Sequence, residues 1–130
     1  MIKAKDIAYV RFQAPDLDAM ERFLLDFGMV RAERTETALY MRGSSSQHSI
    51  HITHLGDEAK FLGFAMEAAS AEDLQALAQA NATQVVERNE PGGGIACELQ
   101  DPNGYTVECV HGLAALPALM RSGLISMLIE

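Results

Sequence analysis

Three histidines recur at intervals of three residues within one predicted strand: His48, His51 and His54. Imidazole can act as a metal ligand or as an acid/base group near neutral pH. Because side chains alternate along a strand, His48 and His54 share one face and His51 lies on the other. At about 3.3 Å per residue the ends of that pair are roughly 20 Å apart, too far to bind one ion. The series is therefore a poor match to a metal centre, and His111, beyond the last predicted strand, is expected at the surface.

The other residues with reactive side chains lie on the last two predicted strands. Cys97 and Cys109 have no basic neighbour that would favour a thiolate, so we expect small core residues rather than a redox pair. Glu108 alternates with apolar residues. From the residues alone it either faces solvent or pairs with an arginine.

Composition and charge narrow the class of protein. The 130 residues include 10 Lys and Arg against 18 Asp and Glu, which gives a net charge of −8. This charge repels phosphates and anionic membrane surfaces, so we expect no nucleic-acid and no membrane partner. The length predicts one domain. Two cysteines and the absence of a signal-peptide pattern favour a cytoplasmic protein.

The hydrophobic pattern predicts an α+β fold of two similar units, residues 6–54 and 60–110. Each unit is expected to contain a strand, a helix and then three strands. Ser70 is a candidate N-cap for the second helix, and Asp101-Pro102-Asn103-Gly104 is typical of a hairpin turn. Two copies favour a pseudo-symmetric pair, whose sheets join or curl around a concave face that is open to a ligand.

An apolar tail, residues 113–130, follows the second unit. Pro117 and Arg121 interrupt it, and it is short for a membrane-spanning helix. Its apolar residues recur near helical spacing, so the tail exposes a large apolar patch unless something covers it. It either folds back on its own sheet or forms an interface.

Three segments carry a family resemblance: residues 7–17, residues 47–50 with 60–64, and residues 101–108. They resemble the vicinal-oxygen-chelate superfamily of glyoxalases, bleomycin-resistance proteins and extradiol dioxygenases. The resemblance implies one module over residues 1–112, in which two βαβββ units with mixed sheets form a cup around a divalent metal. The chain is most similar to the N-terminal, non-catalytic module of a two-module extradiol dioxygenase.

The resemblance also implies the site residues. In extradiol dioxygenases two histidines and one carboxylate hold Fe(II) or Mn(II) and leave positions open for substrate. Here Tyr9 and Gly63 stand where the histidines would be, and only the carboxylate, Glu108, is kept. We therefore expect Tyr9 and Gly63 to line a ligand cavity, Glu108 to be a vestigial or weak metal ligand, and no tightly bound cofactor. His48 matches an acid/base residue beside the metal and is the candidate catalytic residue.

Two functions follow from this resemblance. The first is a small-molecule-binding or structural module with a degraded metal site and a small aromatic or dicarbonyl-type ligand. The alternative is a metal-dependent extradiol dioxygenase or glyoxalase-like enzyme, active in aromatic compound catabolism. It would use Glu108 and His48, with Fe(II) or Mn(II) held partly by residues from elsewhere or from a partner chain. Modules of the superfamily pair across their sheets, so the resemblance favours a homodimer or pairing with a sister module.

Overall fold

The computed structural model describes residues 4–43 and 49–114, which form an α+β fold. The first unit contains β1 (Ala4–Ala14), α1 (Leu17–Asp26), β2 (Val30–Arg34), β3 (Ala38–Arg42) and β4 (His51–Leu55). The second contains β5 (Lys60–Ala68), α2 (Ala71–Ala80), β6 (Val86–Glu87), β7 (Ile95–Gln100) and β8 (Thr106–His111). Both units therefore have the predicted order of strand, helix and three strands.

The eight strands form one mixed sheet in the order β2-β3-β4-β1-β5-β8-β7-β6. In each unit the first strand pairs in parallel with the last, β1 with β4 and β5 with β8. The two units join through the antiparallel pair β1–β5 at the centre of the sheet. The predicted pseudo-symmetric pair is confirmed, with the two half-sheets continuous rather than separate.

Each helix is preceded by a polar residue that caps its N-terminus, and Ser70 is the N-cap that the sequence predicts. Asp16 accepts a hydrogen bond from the backbone N–H of Ala19 at 3.1 Å. Ser70 does the same for the backbone N–H of Asp73 at 3.0 Å. These side chains satisfy backbone donors that lack a partner within the first helical turn.

The alternation of side chains along the strands separates two apolar regions. On the outer face α1 packs on β3, with Leu24 against the cluster of Leu39 and Met41. The second helix packs likewise on a cluster that includes Cys97 and Cys109, which are buried and carry free thiols. The other face is concave, and its base is a cluster of buried residues from both units: Ala8, Tyr9, Ala38, Tyr40, Ile52, Ala65, Ala96 and Val110.

The predicted turn at residues 101–104 connects β7 and β8. The N–H of Gly104 donates to the carbonyl of Asp101 at 2.9 Å, and the Asp101 carboxylate accepts from the N–H of Asn103 at 2.8 Å. Gly104 has φ +93°, a left-handed conformation that glycine adopts without a steric penalty. The turn fixes the register in which Glu98 lies opposite Glu108.

Some predictions fall on residues outside the described ranges. His48 is one of them, and so is most of the apolar tail, from residue 115 onward. Leu113 packs against the base of the concave face. Neither helix within residues 4–43 and 49–114 has the length and apolar character that a bilayer crossing requires.

Candidate functional site

The concave face places side chains from β1, β5 and β8 next to one another. Tyr9 and Arg11 lie on the same face of β1 because they are two residues apart. Across the centre of the sheet, Tyr9 pairs with Ala65 and Arg11 with Gly63. Ala65 in turn pairs with Glu108 on β8. The small residues of β5 therefore leave room for the long side chains of β1 to reach β8.

Glu108 is buried and has hydrogen-bond donors on both carboxylate oxygens. The hydroxyl of Tyr9 donates to Oε1 at 2.7 Å. Arg11 donates from Nε to Oε2 at 2.5 Å and from Nη2 to Oε1 at 3.0 Å. The Glu108 side chain is 9% exposed and that of Arg11 is 14% exposed. Of the two alternatives that the sequence left open for Glu108, solvent exposure or an arginine partner, the structure has the arginine.

Arg11 is the centre of the cluster, because each of its nitrogens donates to the protein. A guanidinium has five N–H donors and no acceptor. Besides Glu108, it binds Glu90 from Nη1 at 2.8 Å and from Nη2 at 2.5 Å. Nη1 also lies 2.8 Å from Nε2 of His54, and Nη2 lies 3.2 Å from the hydroxyl of Tyr9. The carboxylates of Glu90 and Glu108 each accept two hydrogen bonds from this one guanidinium. Such bidentate pairs are among the strongest hydrogen-bonding arrangements in proteins.

Glu90 lies in the loop between β6 and β7 and has further partners. The hydroxyl of Tyr40 donates to its Oε2 at 3.1 Å, and Nη2 of Arg88 lies 3.3 Å from its Oε1. Arg88 also donates to the carbonyl of Gly93 and lies over the ring of Tyr9, 5.4 Å from the centroid. The Arg88 side chain is only 6% exposed, so this second guanidinium, from the same loop, is largely excluded from solvent.

The charges of the cluster change the proton affinity of its members. Burial would lower the pKa of Arg11, but its hydrogen bonds with Glu90 and Glu108 raise that pKa above its ordinary value. Burial would raise the pKa of Glu90, but Arg11 and Arg88 bring it below its usual range. Burial and the neighbouring carboxylates raise the pKa values of Tyr9 and Tyr40 to about 12. At neutral pH Arg11 and Glu90 are therefore charged, and both phenols keep their protons as donors.

His54 is a neutral acceptor in this cluster. Arginine cannot accept a hydrogen bond, so Nε2 of His54 must present its lone pair to Arg11, and the ring proton is on Nδ1. Burial, together with the positive charge of Arg11, lowers the pKa of His54. A lone pair directed at a cation is also the arrangement that histidine adopts toward a metal.

Gly63 lies at the point of closest approach between β5 and β8. A Cβ atom built on it would be 1.9 Å from the carbonyl oxygen of Thr106, far inside van der Waals contact. A histidine side chain cannot stand at this position unless the two strands move apart. The position that the resemblance assigned to a second metal ligand therefore holds a close backbone contact.

The other histidines are distributed as the alternation rule predicts. His51 lies on the opposite face from His54, where its ring stacks on Phe12 with centroids 4.9 Å apart. His111 is half-buried, and its Nδ1 lies 3.1 Å from the carbonyl oxygen of Ala68. His48, the candidate catalytic residue, lies outside the described residues.

The divalent metal that the resemblance implies does not fit these residues as they stand. The phenol of Tyr9 donates a hydrogen bond to Glu108, and Gly63 has no side chain that could bind a metal. Both carboxylate oxygens of Glu108 accept hydrogen bonds from protein donors. Within residues 4–43 and 49–114, no three His, Cys, Asp or Glu side chains are arranged to hold a metal ion. The place where a cation would be held is filled by the guanidinium of Arg11.

Sequence reasoning missed Arg11, Glu90 and His54 as members of one cluster. A signal for Arg11 was present, because it is two residues from Tyr9 on a central strand, where a charged side chain needs a partner. Glu90 had no such signal, since it comes from a loop 79 residues away along the chain.

Two cavities adjoin the cluster. One has a volume of about 630 Å³ and is bounded by His54, Phe61 and Tyr105 among others. The other, of about 590 Å³, extends toward the loop before β6. Both are lined by the same four charged residues: Arg11, Glu90, Glu98 and Glu108. The cavities are of the size that small-molecule sites occupy in proteins.

Comparison with solved structures identifies the fold. The Mn(II)-bound glyoxalase from Novosphingobium aromaticivorans superposes with a TM-score of 0.83 at 21% identity, over 95% of this chain and 44% of that one. An extradiol ring-cleaving dioxygenase from B. fuscum gives 0.76 at 21% identity, over 88% and 34% of the two chains. Homoprotocatechuate 2,3-dioxygenase from Arthrobacter globiformis gives 0.77 at 20% identity, over 92% and 39%.

The sequence matches no protein-family model and no curated protein. This chain spans less than half the length of each of the three solved structures. The structural similarity extends over nearly the whole of this chain. Because the sequence identity is only 20–21%, it establishes the fold and not the activity. The chain has the paired βαβββ fold of the glyoxalases and extradiol dioxygenases of the vicinal-oxygen-chelate superfamily.

Proposed function

We propose that this chain is a small-molecule-binding module whose concave face works without a bound metal. The observation that carries the proposal is the ion pair between Arg11 and Glu108. It engages the one carboxylate that the resemblance retained from the metal-binding pattern. Metal-dependent ring cleavage or glyoxalase chemistry would need Glu108 free to bind the ion, and here Tyr9 and Arg11 both donate to it.

The larger cavity supports a small aromatic ligand. Phe61 and Tyr105 form an edge-to-face pair with centroids 5.1 Å apart, and Tyr105 is 43% exposed. A flat ligand can extend this pair, because aromatic rings favour edge-to-face and offset contacts. Ring stacking also tolerates a range of substituents, so the aromatic wall fits a class of ligand rather than one molecule.

The polar groups of the cavity support a ligand with oxygen substituents. Lys60 and Glu98 are exposed at its wall, and neither forms an ion pair with another described residue. An ammonium group is suited to a carbonyl or carboxylate oxygen, and a carboxylate accepts from a hydroxyl or amine. A phenol, an aryl carboxylate or a dicarbonyl compound meets these requirements.

The names of the solved relatives favour the same class of ligand. One of them is a homoprotocatechuate dioxygenase, and another is a glyoxalase. We therefore place the module near aromatic compound catabolism, in the cytoplasm, where its two free thiols would stay reduced. The shared fold supports this assignment by analogy.

The module is further proposed to act as a homodimer or beside a sister module. Its support is the apolar tail, residues 113–130, whose apolar residues recur near helical spacing. Such a segment exposes a large apolar patch unless a second surface covers it, and a symmetric pair of tails can provide that surface.

Ligand binding measured in the presence of a metal chelator tests the proposal. Catechol, benzoate and a simple 1,2-dicarbonyl are titrated into isotope-labelled protein with EDTA present, and amide shifts are followed by NMR. We expect saturable shifts at Phe61 and Tyr105, weakened at least tenfold by Tyr105→Ala. Phe23→Ala, an exposed aromatic on α1, is the matched control and should leave binding unchanged. Binding or turnover that needs added Fe(II) or Mn(II) would overturn the proposal in favour of the enzyme.

A further inference from the structure

The carboxylate of Glu90 accepts four hydrogen bonds, two on each oxygen. Oε1 accepts from Nη2 of Arg11 at 2.5 Å and from Nη2 of Arg88 at 3.3 Å. Oε2 accepts from Nη1 of Arg11 at 2.8 Å and from the hydroxyl of Tyr40 at 3.1 Å. Two guanidinium groups and a phenol therefore form a carboxylate-binding site, and its occupant is a side chain of the same protein.

Glu90 is the less enclosed of the two carboxylates that bind Arg11. Glu108 lies on β8 inside the sheet, and its side chain is 9% exposed. The Glu90 side chain is 23% exposed and comes from the loop between β6, an edge strand of two residues, and β7. Because it already contacts solvent, the Glu90 carboxylate can be hydrated when another group takes its donors.

The donors of this site do not depend on Glu90 for their positions. The guanidinium of Arg11 also donates to both oxygens of Glu108. The guanidinium of Arg88 also donates to the backbone carbonyl of Gly93. Rotation of the Glu90 side chain toward solvent therefore leaves a vacant carboxylate site with its donors in place.

Both cavities of the concave face are lined by Arg11 and Glu90. A ligand in either cavity can therefore reach the carboxylate site. The larger cavity is also lined by Phe61 and Tyr105, the edge-to-face pair that we propose contacts an aromatic ligand. A compound with a ring and a carboxylate has one part for each of these two features.

The charge balance favours exchange of one carboxylate for another. The two guanidinium donors carry two positive charges, and Glu108 carries one negative charge. When the Glu90 side chain rotates away, one positive charge is left without a partner. Lys60 and Glu98 are exposed at the wall of the larger cavity, and their opposite charges offset each other. A ligand carboxylate restores neutrality at the vacant site, and a neutral ligand does not.

We propose that Glu90 is an internal ligand and that a small aryl carboxylate binds by displacing it from Arg11, Arg88 and Tyr40. This inference rests on the proposed function and names the ligand class within it, aryl carboxylates rather than phenols or dicarbonyl compounds. The apparent affinity is then the intrinsic affinity multiplied by the fraction of chains in which the site is vacant. Removal of the Glu90 carboxylate should therefore increase the affinity.

Acetate tests the carboxylate site without an aromatic ring. Glu90→Ala removes the internal carboxylate and keeps its donors. We expect this variant to melt at a lower temperature than the native chain. Acetate should raise its Tm until the site is saturated, whereas chloride at equal ionic strength should not. The native chain and Glu87→Ala are the controls and should respond to both salts alike, because Glu87 is exposed on β6 and forms no ion pair with another described residue.

Benzoate and benzamide test the ligand class, because they share a ring and differ in charge. Benzoate should bind Glu90→Ala at least tenfold more tightly than the native chain, the change expected if the native site is vacant in about a tenth of the chains or fewer. Benzamide should gain much less. In the native chain benzoate should shift the amide NMR signal of Glu90, and benzamide should leave it unshifted.

Glu90→Gln covers the case in which Glu90→Ala does not fold, since it fills the same volume with a neutral and weaker acceptor and should also bind benzoate more tightly than the native chain. Equal stabilisation of a folded Glu90→Ala by acetate and chloride would overturn the proposal. So would equal benzoate affinity in the native chain and the variants, or a native Glu90 amide that benzoate leaves unshifted. Failure of the proposed function gives a different result: neither benzoate nor benzamide binds, while acetate still stabilises Glu90→Ala.

Discussion

Arg11 and Glu108 form an ion pair across an intervening strand, with Nε 2.5 Å from Oε2 and Nη2 3.0 Å from Oε1. β5 lies between β1 and β8 in the sheet, and its residues at this level are Gly63 and Ala65. A longer side chain at either of these two positions would separate the two charges. The charge cluster between β1 and β8 therefore depends on Gly63 and Ala65, the small residues of the strand between them.

Removal of the Arg11 side chain should destabilise the protein strongly. Arg11→Ala leaves Glu108 buried with only the Tyr9 hydroxyl as a donor in the cluster. We expect the free energy of unfolding to fall by about 3–5 kcal/mol, the cost of breaking one side of a buried ion pair. Urea denaturation measures the change. Arg31→Ala is the control and should cost far less, because the Arg31 side chain is 52% exposed and Glu21 keeps Arg34 as a partner. Equal effects of the two variants would contradict the account.

Acidification toward pH 5.5 should weaken the fold through His54. Burial and the charge of Arg11 hold the pKa of His54 in the folded state below its ordinary value of 6.5. The unfolded chain therefore takes up the proton first. The stability due to neutral His54 is complete above about pH 6.5 and falls as the pH decreases below that value. Glu90 acts in the same direction but below its ordinary pKa of 4.5, outside this window.

The measurement is the urea midpoint at pH 7.5 and at pH 5.5. His54→Gln keeps an acceptor for Arg11 but cannot be protonated, so the decrease between the two pH values should be smaller in this variant. His51 also has a lowered pKa from burial, and it provides the residual slope in both proteins. An unchanged slope in His54→Gln would show that His54 is not the group responsible.

Gly63 should tolerate no side chain. A Cβ at Gly63 meets the backbone oxygen of Thr106 at 1.9 Å, so Gly63→Ala must displace β5 from β8. We expect a loss of about 3 kcal/mol, at the upper end of the usual range for overpacked cores. Gly28→Ala is the control, because Gly28 also has a positive φ but has open space around its Cβ position. Its cost should be about 1 kcal/mol, from the left-handed backbone alone. Similar losses in both variants would contradict the steric explanation.

The oligomeric state tests the proposed pairing. Sedimentation of the full chain at micromolar concentration should report about twice 14.1 kDa. Truncation after Gly112 removes the apolar tail, and its mass should shift toward the monomer. A monomeric full-length chain, together with a soluble and folded truncation, would show that the tail is not an interface.

Much of the fold could be predicted because its signals are local. The apolar stripe and the polar caps at Asp16 and Ser70 define the helices, and the turn at residues 101–104 defines the last hairpin. The residue pattern predicts strands over 38–42 and 60–68, and these ranges agree with β3 and β5. β4 begins at His51, whereas the pattern predicts a strand from residue 48, which lies outside the described residues.

The site could be predicted only in part, because it depends on contacts between distant residues. Tyr9 and Glu108 were singled out from the resemblance, and they are hydrogen-bonded to each other. The partner that decides the chemistry, Arg11, gave only the weak signal of a charge on a central strand. Glu90 is brought to it by a loop whose path no local pattern specifies. Sequence patterns therefore predicted the concave face but not the Arg11 guanidinium in its charge cluster.

The most direct test of the account is NMR of the arginine side chains in the native chain with one equivalent of Mn(II). The central claim to be tested is that the guanidinium of Arg11 keeps a metal ion out of the cluster that it forms with Glu90, Glu108 and His54. The Nε–H signal of Arg11, assigned by its loss in Arg11→Lys, should be shifted by the short bond to Glu108 and should stay sharp when Mn(II) is added. Selective paramagnetic broadening of that signal and of His54 at one equivalent would place a metal in the cluster and contradict the account.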